Sequence, residues 1–235
     1  MTKDLSLVLP CYNEEGIFEA SMARILKLLS LTKLDFEIIL VDDCSRDGTR
    51  ELIRKLARKE RRISWIFHET NKGRGAAVMD GIRKAKGRVA GYIDIDLEIS
   101  EDNILTHYLE VERGYDVAYA DRITPLNLAF HPRTLMHFLY IGAASLILRS
   151  PFKDTNAGCK FFRRDKILPI FERTKDNHWF WDTEILLLSS RAGLKIKKIP
   201  ALYIRNPRKK STVKIYSDTV YFLKKLVIFS RKERG

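Results

Sequence analysis

Cysteine is scarce in this chain: Cys11, Cys44 and Cys159 are the only three in 235 residues. They are odd in number, far apart and never in a Cys-x-x-Cys pair, which argues against a disulfide framework and a cysteine zinc site. A reducing, cytoplasmic setting is expected. Long apolar runs are missing too. The nearest approach, Leu135 to Leu148, is 14 residues, short of the ~20 that cross a bilayer. Met1-Thr2-Lys3-Asp4 leads straight into a strand-like run, so no signal peptide is expected. Seven prolines and 12 glycines are spread thinly, with no linker, low-complexity tract or repeat. One domain over residues 1–235 is therefore expected. Acids are also in deficit: 30 Asp and Glu face 43 Lys and Arg, a formal charge of +13. The excess gathers after Lys195, where Asp218 and Glu233 are the only acids. A polyanionic partner fits such a balance: nucleic acid, anionic lipid or phosphorylated substrate.

Apolar runs and helical stretches alternate. Leu5–Leu9 reads as a buried strand stopped by Pro10. Glu14–Leu31 carries Ile17, Ala20, Met22, Ile25, Leu26 and Leu29 at helical spacing. Phe36–Val41, Ile63–Phe67 and Val89–Ile93 read as strands, with helices over 49–58 and 75–86 between them. Four strand–helix alternations with short connections predict an α/β fold, an open and mostly parallel sheet flanked by helices. Ligands bind beyond the carboxyl ends of such strands. Further on, helices are expected over 103–112, 131–148, 182–192 and 218–230, and strands over 117–120, 158–162 and 196–203.

Two strands end on acids. Asp94-Ile95-Asp96 offers two carboxylates that can reach one hard cation, Mg²⁺ or Mn²⁺. Such a cation stabilises negative charge on a departing diphosphate. A solvated acidic turn is the plain alternative. Asp42-Asp43 ends the second strand, and the following Ser45 or Asp47 can cap the helix from Thr49. Pro10-Cys11-Tyr12-Asn13-Glu14 follows the first strand. Tyr12 offers a ring for stacking on a base, although helix capping alone accounts for Asn13 and Glu14. Asn71-Lys72-Gly73-Arg74-Gly75 imitates a dinucleotide fingerprint, but Val78 stands where the third glycine belongs and the loop follows the third strand. Asp182 and Glu184 could act as a general base toward a sugar hydroxyl, or simply cap a helix.

These segments, in this order and spacing, resemble the family 2 glycosyltransferases, more narrowly the dolichol-phosphate mannose synthase branch and the polyprenyl-phosphate glycosyltransferases. Asp154-Thr-Asn-Ala-Gly158-Cys-Lys-Phe-Phe-Arg163 and Phe180-Trp-Asp-Thr-Glu184-Ile-Leu extend the likeness into the second half. The resemblance implies a GT-A (Rossmann-like) fold and an inverting transfer from a nucleotide-diphospho-sugar. It sets Pro10, Tyr12, Glu14, Val41 and Asp43 at the nucleoside, and Asp94, Ile95 and Asp96 at the metal and diphosphate. Arg122 falls against the donor and Arg133 toward the acceptor phosphate. Arg205 is matched too, with Lys210 and Lys214 as alternatives for a basic partner. There are two departures. Arg205–Lys214 lacks the branch's glycine, and Glu98 stands where relatives often carry a neutral polar residue.

The expected reaction moves a hexose, with GDP-mannose favoured over UDP-glucose or UDP-N-acetylglucosamine, to a polyprenyl or dolichyl phosphate. A phosphomonoester is already anionic and needs no strong base; positioning and charge neutralisation carry the reaction. Asp96, Arg122, Arg133, Asp182 and Glu184 are the candidate catalytic set. Residues 1–122 form the expected donor half, 123–215 the acceptor half and 216–235 a basic terminal helix. That helix and the one from Arg133 to Arg149 suit the surface of an anionic membrane, if they are not packed on the core. Peripheral attachment at the cytoplasmic face follows, with a membrane-embedded partner subunit as an option. Nucleic acid is not expected, since acids at strand ends would repel it. A nucleotidyltransferase would need a glycine-rich basic loop where Pro10–Glu14 stands.

Overall fold

In the computed structural model, β1 (Lys3–Cys11) is the axis of the fold. The structure describes residues 3–123, 152, 154–206, 220–222, 224–226 and 228–229. β2 (Phe36–Asp42) and β4 (Gly87–Ile93) pair in parallel on either side of β1, and β3 (Ile63–Phe67) extends the sheet beyond β2. β5 (Val117–Ile123), β6 (Cys159–Arg163) and β7 (Ile196–Leu202) complete the seven-stranded order β3-β2-β1-β4-β6-β5-β7. β6 runs antiparallel to both β4 and β5, whereas β5 and β7 are parallel. A mostly parallel sheet is what the alternation predicts, with β6 as the reversed strand.

Both faces are covered, so strand residues alternate between two cores. Leu7, Leu9, Ile38, Leu40 and Phe161 face one core, packed by α1 (Glu15–Ser30), α2 (Thr49–Lys59) and α4 (Asn103–Glu112). Val8, Ile39, Val41, Tyr92 and Phe162 face the other, packed by α3 (Arg74–Lys84), α5 (Arg164–Phe171) and α6 (Trp181–Arg191). Of the stripe that the spacing of α1 predicts, Ile17, Met22, Ile25 and Leu29 are buried; Phe18 joins them, while Leu26 is half-buried and Ala20 exposed. α6 stops at Gly193, whose φ of 73° suits glycine.

One local expectation is corrected, and one helix stands where none is expected. Pro10 does not stop β1: the strand runs to Cys11, with Pro10 level with Val41. Its last rung with β4 is Val8 to Tyr92, so the missing N–H takes nothing from that ladder. α5 escapes a reading by periodicity because it has eight residues and holds Pro169, yet Ile167, Ile170 and Phe171 bury one face of it.

The expected helix from Arg133 to Arg149 lies outside the described residues. Of the expected terminal helix, the described residues at 220–222, 224–226 and 228–229 are helical. Leu226 is fully buried beside Phe180, and the Phe229 ring lies 5.9 Å from the Phe180 ring. Lys225 Nζ pairs with Asp176 at 2.9 Å. One side of this segment is therefore committed to the protein. No helix among the described residues is long and apolar enough to cross a membrane.

Candidate active site

The carboxyl ends of β2, β1 and β4 are neighbours, and β1 is where the strand order reverses. Crevices form at such points. Three non-glycine residues with positive φ stand there: Asn13 at 56°, Cys44 at 67° and Leu97 at 51°. Left-handed backbone of this kind is held only where surroundings enforce it, often at functional sites.

The loops after β1 and β2 cap one another. Asn13 N–H donates to Ser45 Oγ at 2.9 Å, and Arg46 N–H donates to Asn13 Oδ1 at 2.8 Å. Glu14 N–H donates to Thr49 Oγ1 at 2.9 Å and Glu15 N–H to Asp47 Oδ2 at 3.1 Å. The start of α1 is thus satisfied by side chains from the start of α2, not by its own residues. This packing holds Pro10, Tyr12, Glu14 and Val41 at one end of the sheet, with Tyr12 half-buried and Glu14 and Val41 buried.

Asp43 is buried and knits in the next loop. Its Oδ1 accepts the Lys72 N–H at 2.8 Å and its Oδ2 the Gly73 N–H at 2.9 Å. His68 Nδ1 lies 2.7 Å from Asp43 Oδ1, and His68 Nε2 lies 3.1 Å from Asp80. Gly73, at φ 98°, leaves no space for a side chain: a Cβ there would fall 2.3 Å from His178 Nδ1. The two glycines of this loop serve close packing, Gly73 on Asn177 and His178 and Gly75 on Trp181.

Arg74 leads from that loop to the acidic motif. Its Nε donates to Asp94 Oδ1 at 2.9 Å, and its Nη1 donates to Asp182 at 2.5 Å. Asp182 also accepts from Lys160 Nζ at 2.6 Å and from the Tyr92 hydroxyl. Burial resists ionisation of Asp182, but Arg74 and Lys160 outweigh it and hold the carboxyl below its ordinary range. Burial lowers the Lys160 ammonium despite the pull of Asp182. Burial and Asp182 together raise the Tyr92 phenol. Burial also works against the Arg74 cation, and its acids overcome it.

Asp94 is half-buried, and Ile95 and Asp96 are buried. Asp96 Oδ1 accepts the Glu98 N–H at 3.2 Å, and Leu97 N–H closes the turn on Asp94 O at 3.1 Å. On its other side Asp94 meets Gly158: a Cβ at Gly158 would lie 1.9 Å from Asp94 Oδ2. Among the described residues no group of three or more His, Cys, Asp or Glu could by itself hold a metal. Two adjacent carboxylates with substrate oxygens and water to complete the shell still fit Mg²⁺ or Mn²⁺.

Arg122 lies at the same end of the sheet, in a two-pronged pair with Asp154: Nε to Oδ2 at 2.6 Å and Nη2 to Oδ1 at 3.0 Å. Burial opposes its charge, but Asp154 raises its pKa above the ordinary value. Arg205 is exposed, one residue before Asn206, whose side chain donates to Asp96 O at 3.0 Å. Arg133, Lys210 and Lys214 lie outside the described residues. Glu184 accepts the N–H groups of Lys175 and Asp176 at 3.1 and 2.8 Å, and burial raises its pKa over their opposing pull. Of the two candidate bases, Asp182 is engaged in an internal ion pair and Glu184 on a loop backbone. Arg74, Tyr92, Lys160 and Asp154 join the site without having been expected there from sequence. Lys160 between Cys159 and Phe161 in a central strand is the available signal, since a buried lysine requires a buried acid.

The chain has clear relatives. The family model "Glycosyl transferase family 2" matches residues 6–171. Glycosyltransferase AglD of Haloferax volcanii is 33% identical over 84% of this chain and 32% of its own length. The dolichyl-phosphate beta-glucosyltransferase of Saccharomyces cerevisiae is 28% identical over 95% of this chain and 73% of its own length. This chain thus spans about a third of the first relative. Among solved structures, glucosyl-3-phosphoglycerate synthase from Mycobacterium tuberculosis, in complex with Mn²⁺, UDP and glucosyl-3-phosphoglycerate, superposes with a TM-score of 0.69 at 17% identity, covering 96% of this chain and 77% of that one. The fold is accordingly of the GT-A type.

Proposed function

The chain belongs to glycosyl transferase family 2, and from that premise we propose that it moves a hexose, glucose before mannose, from a nucleotide-diphospho-sugar to a polyprenyl or dolichyl phosphate. One observation carries the reading: Asp94 and Asp96 close β4 at the crevice beside β1 and β2, with Arg122 at the same end of the sheet. The sugar follows the Saccharomyces cerevisiae relative, a dolichyl-phosphate beta-glucosyltransferase aligned over 95% of this chain. GDP-mannose, favoured by the resemblance alone, gives way to a UDP-glucose-type donor.

In this reading Pro10, Tyr12, Glu14, Val41 and Asp43 bound the nucleoside, and Asp94 and Asp96 hold Mg²⁺ or Mn²⁺. The cation supplies Lewis-acid stabilisation of the leaving diphosphate. Arg122, fixed by Asp154, and Arg205 neutralise phosphate charge, a role that suits the guanidinium fork. Arg133, Lys210 and Lys214 belong to the same proposal. The acceptor phosphate attacks the anomeric carbon as an anion, so no side chain must take a proton from it. The engaged state of Asp182 and Glu184 agrees with that and disfavours a saccharide acceptor. Residues 1–122 serve the donor, 123–215 the acceptor, and the basic stretch from 216 meets an anionic membrane, where a membrane-embedded partner subunit would join it.

The test is to incubate the protein with Mn²⁺, polyprenyl phosphate in detergent, and labelled UDP-glucose, GDP-mannose and UDP-N-acetylglucosamine in turn. A glucolipid from UDP-glucose is expected. Transfer to a saccharide and to no lipid phosphate would sink the acceptor assignment, and a mannolipid alone would reverse the sugar.

A further inference from the structure

Asp182 stands in the first turn of α6, yet it faces the interior. Its side chain is 1% exposed. One oxygen accepts from Lys160 Nζ and the Tyr92 hydroxyl, the other from Arg74 Nη1. Lys160 and Tyr92 are fully buried, and the Arg74 side chain is 12% exposed. Lys160 is itself pinned, donating to Ala157 O at 2.8 Å and Tyr92 Oη at 2.9 Å. A general base needs a path to the proton it takes, and this carboxylate is enclosed by its cations. Among the described residues the cluster reaches the acidic motif through Arg74. Arg74 Nε and Nη2 reach Asp94 Oδ1 at 2.9 and 2.8 Å, while Gly158 backs Asp94 Oδ2.

We propose that Lys160, Asp182 and Arg74 are positioning residues that fix the Asp94 carboxylate as a cation ligand. Lys160 orients Asp182, Asp182 orients Arg74, and Arg74 orients Asp94. The inference rests on the reading of Asp94 and Asp96 as the metal–diphosphate motif. The guanidinium carries its donors in one rigid plane, so gripping Asp182 with one edge sets the angle at which the other meets Asp94. Lys160, Asp182 and Arg74 together place one positive charge beside the motif, which by itself would loosen a cation; what the cluster supplies is geometry. Loss of such outer partners typically weakens metal binding by about 10–100-fold.

Charge and geometry make opposite forecasts, which gives the test. Mn²⁺ binding is measured by electron paramagnetic resonance of the free ion, with and without saturating UDP, alongside turnover. Arg74→Lys keeps the charge and loses the rigid fork. Lys160→Met leaves the cluster one unit more negative, which by electrostatics alone tightens a cation. Both variants should weaken Mn²⁺ by about tenfold or more, with turnover recovered at high Mn²⁺. Unchanged affinity in Arg74→Lys together with tighter binding in Lys160→Met overturns the relay. Should Lys160→Met fail to fold by circular dichroism, Arg74→Lys decides alone. Asp182→Asn supplies a further check: turnover lost at every Mn²⁺ concentration with unaltered Mn²⁺ affinity would make Asp182 a base and end the proposal. Asp96→Asn separates the two levels. If it binds Mn²⁺ like the wild type, the motif reading fails and the relay with it. If it loses binding while Arg74→Lys does not, only the relay falls.

Discussion

Asp42 and Asp43 close β2 much as Asp94 and Asp96 close β4, but different partners hold the two pairs. Asp42 is fully buried; its Oδ2 accepts Arg50 Nε at 2.6 Å and the Ser45 N–H at 3.1 Å. Asp43 accepts the backbone of Lys72 and Gly73. These acids stitch the loops after β2 and β3 to the sheet. Asp94 instead meets the Arg74 side chain, itself anchored from within by Asp182. Asp42 and Asp43 gather backbone and side chains of the loops around them, whereas Asp94 is gripped by an arginine anchored from within the protein. Identical residues at equivalent strand ends can therefore carry different work, and only their surroundings tell which.

The sharpest way to break the comparison is to remove one acid from each pair. Asp96→Ala should lower transfer about a thousandfold, because the Lewis-acid contribution is several kcal/mol and each 1.36 kcal/mol is a factor of ten. Its melting temperature should barely move. Asp42→Ala should do the reverse. It strips the partner from Arg50, whose side chain is 26% exposed and can turn to water, so a loss of about 2 kcal/mol is expected rather than the full penalty of a broken buried pair. For a chain of this size that is a fall of roughly 4–8 °C. Differential scanning fluorimetry and a glycolipid assay on both variants check it; equal effects on both readouts would erase the distinction.

How much of this is legible in the sequence depends on range. β3 over Ile63–Phe67 and α4 over Asn103–Glu112 follow from local periodicity and stand where it puts them. The strand-end acids are visible because a strand, a turn and a helix start are adjacent in sequence. The Arg74–Asp182 contact joins residues 108 apart, and no periodicity reports such a pair. Gly158 is visible as part of a motif, but its reason is not: it leaves room for Asp94 from the neighbouring strand.

Gly158→Ala therefore probes the comparison at the next level down. Its methyl would occupy the position of Asp94 Oδ2, and the carboxylate would have to move. Displacing a reacting constellation by about 1 Å costs on the order of a hundredfold in rate. Turnover should fall by roughly that much, with the Mn²⁺ requirement shifted upward. A fully active Gly158→Ala protein would mean that the orientation of Asp94 does not matter, and the contrast between the two pairs would lose its basis.

The smallest expected effect lies at Glu98, two residues beyond Asp96. In the sequence this extra acid stands out as a departure that could disturb the metal chemistry. In the fold its oxygens are engaged elsewhere. Oε2 accepts the Tyr203 hydroxyl at 2.8 Å and Oε1 the Asn206 N–H at 3.2 Å. The Glu98 carbonyl takes the Ile204 N–H at 2.8 Å, and Ile99 bridges to Tyr203. Glu98 thus ties the end of the acidic turn to the segment that follows β7, as Asp43 ties a loop to β2. Glu98→Gln keeps the shape and one acceptor oxygen, so about 1 kcal/mol of stability should be lost, a fall of roughly 2–4 °C. The Mn²⁺ dependence of transfer should not move. If Glu98→Gln instead changes Mn²⁺ affinity as Asp96→Asn does, then Glu98 belongs with the cation ligands, and the division between acids that tie loops together and acids that hold the cation must be redrawn one turn further along the chain.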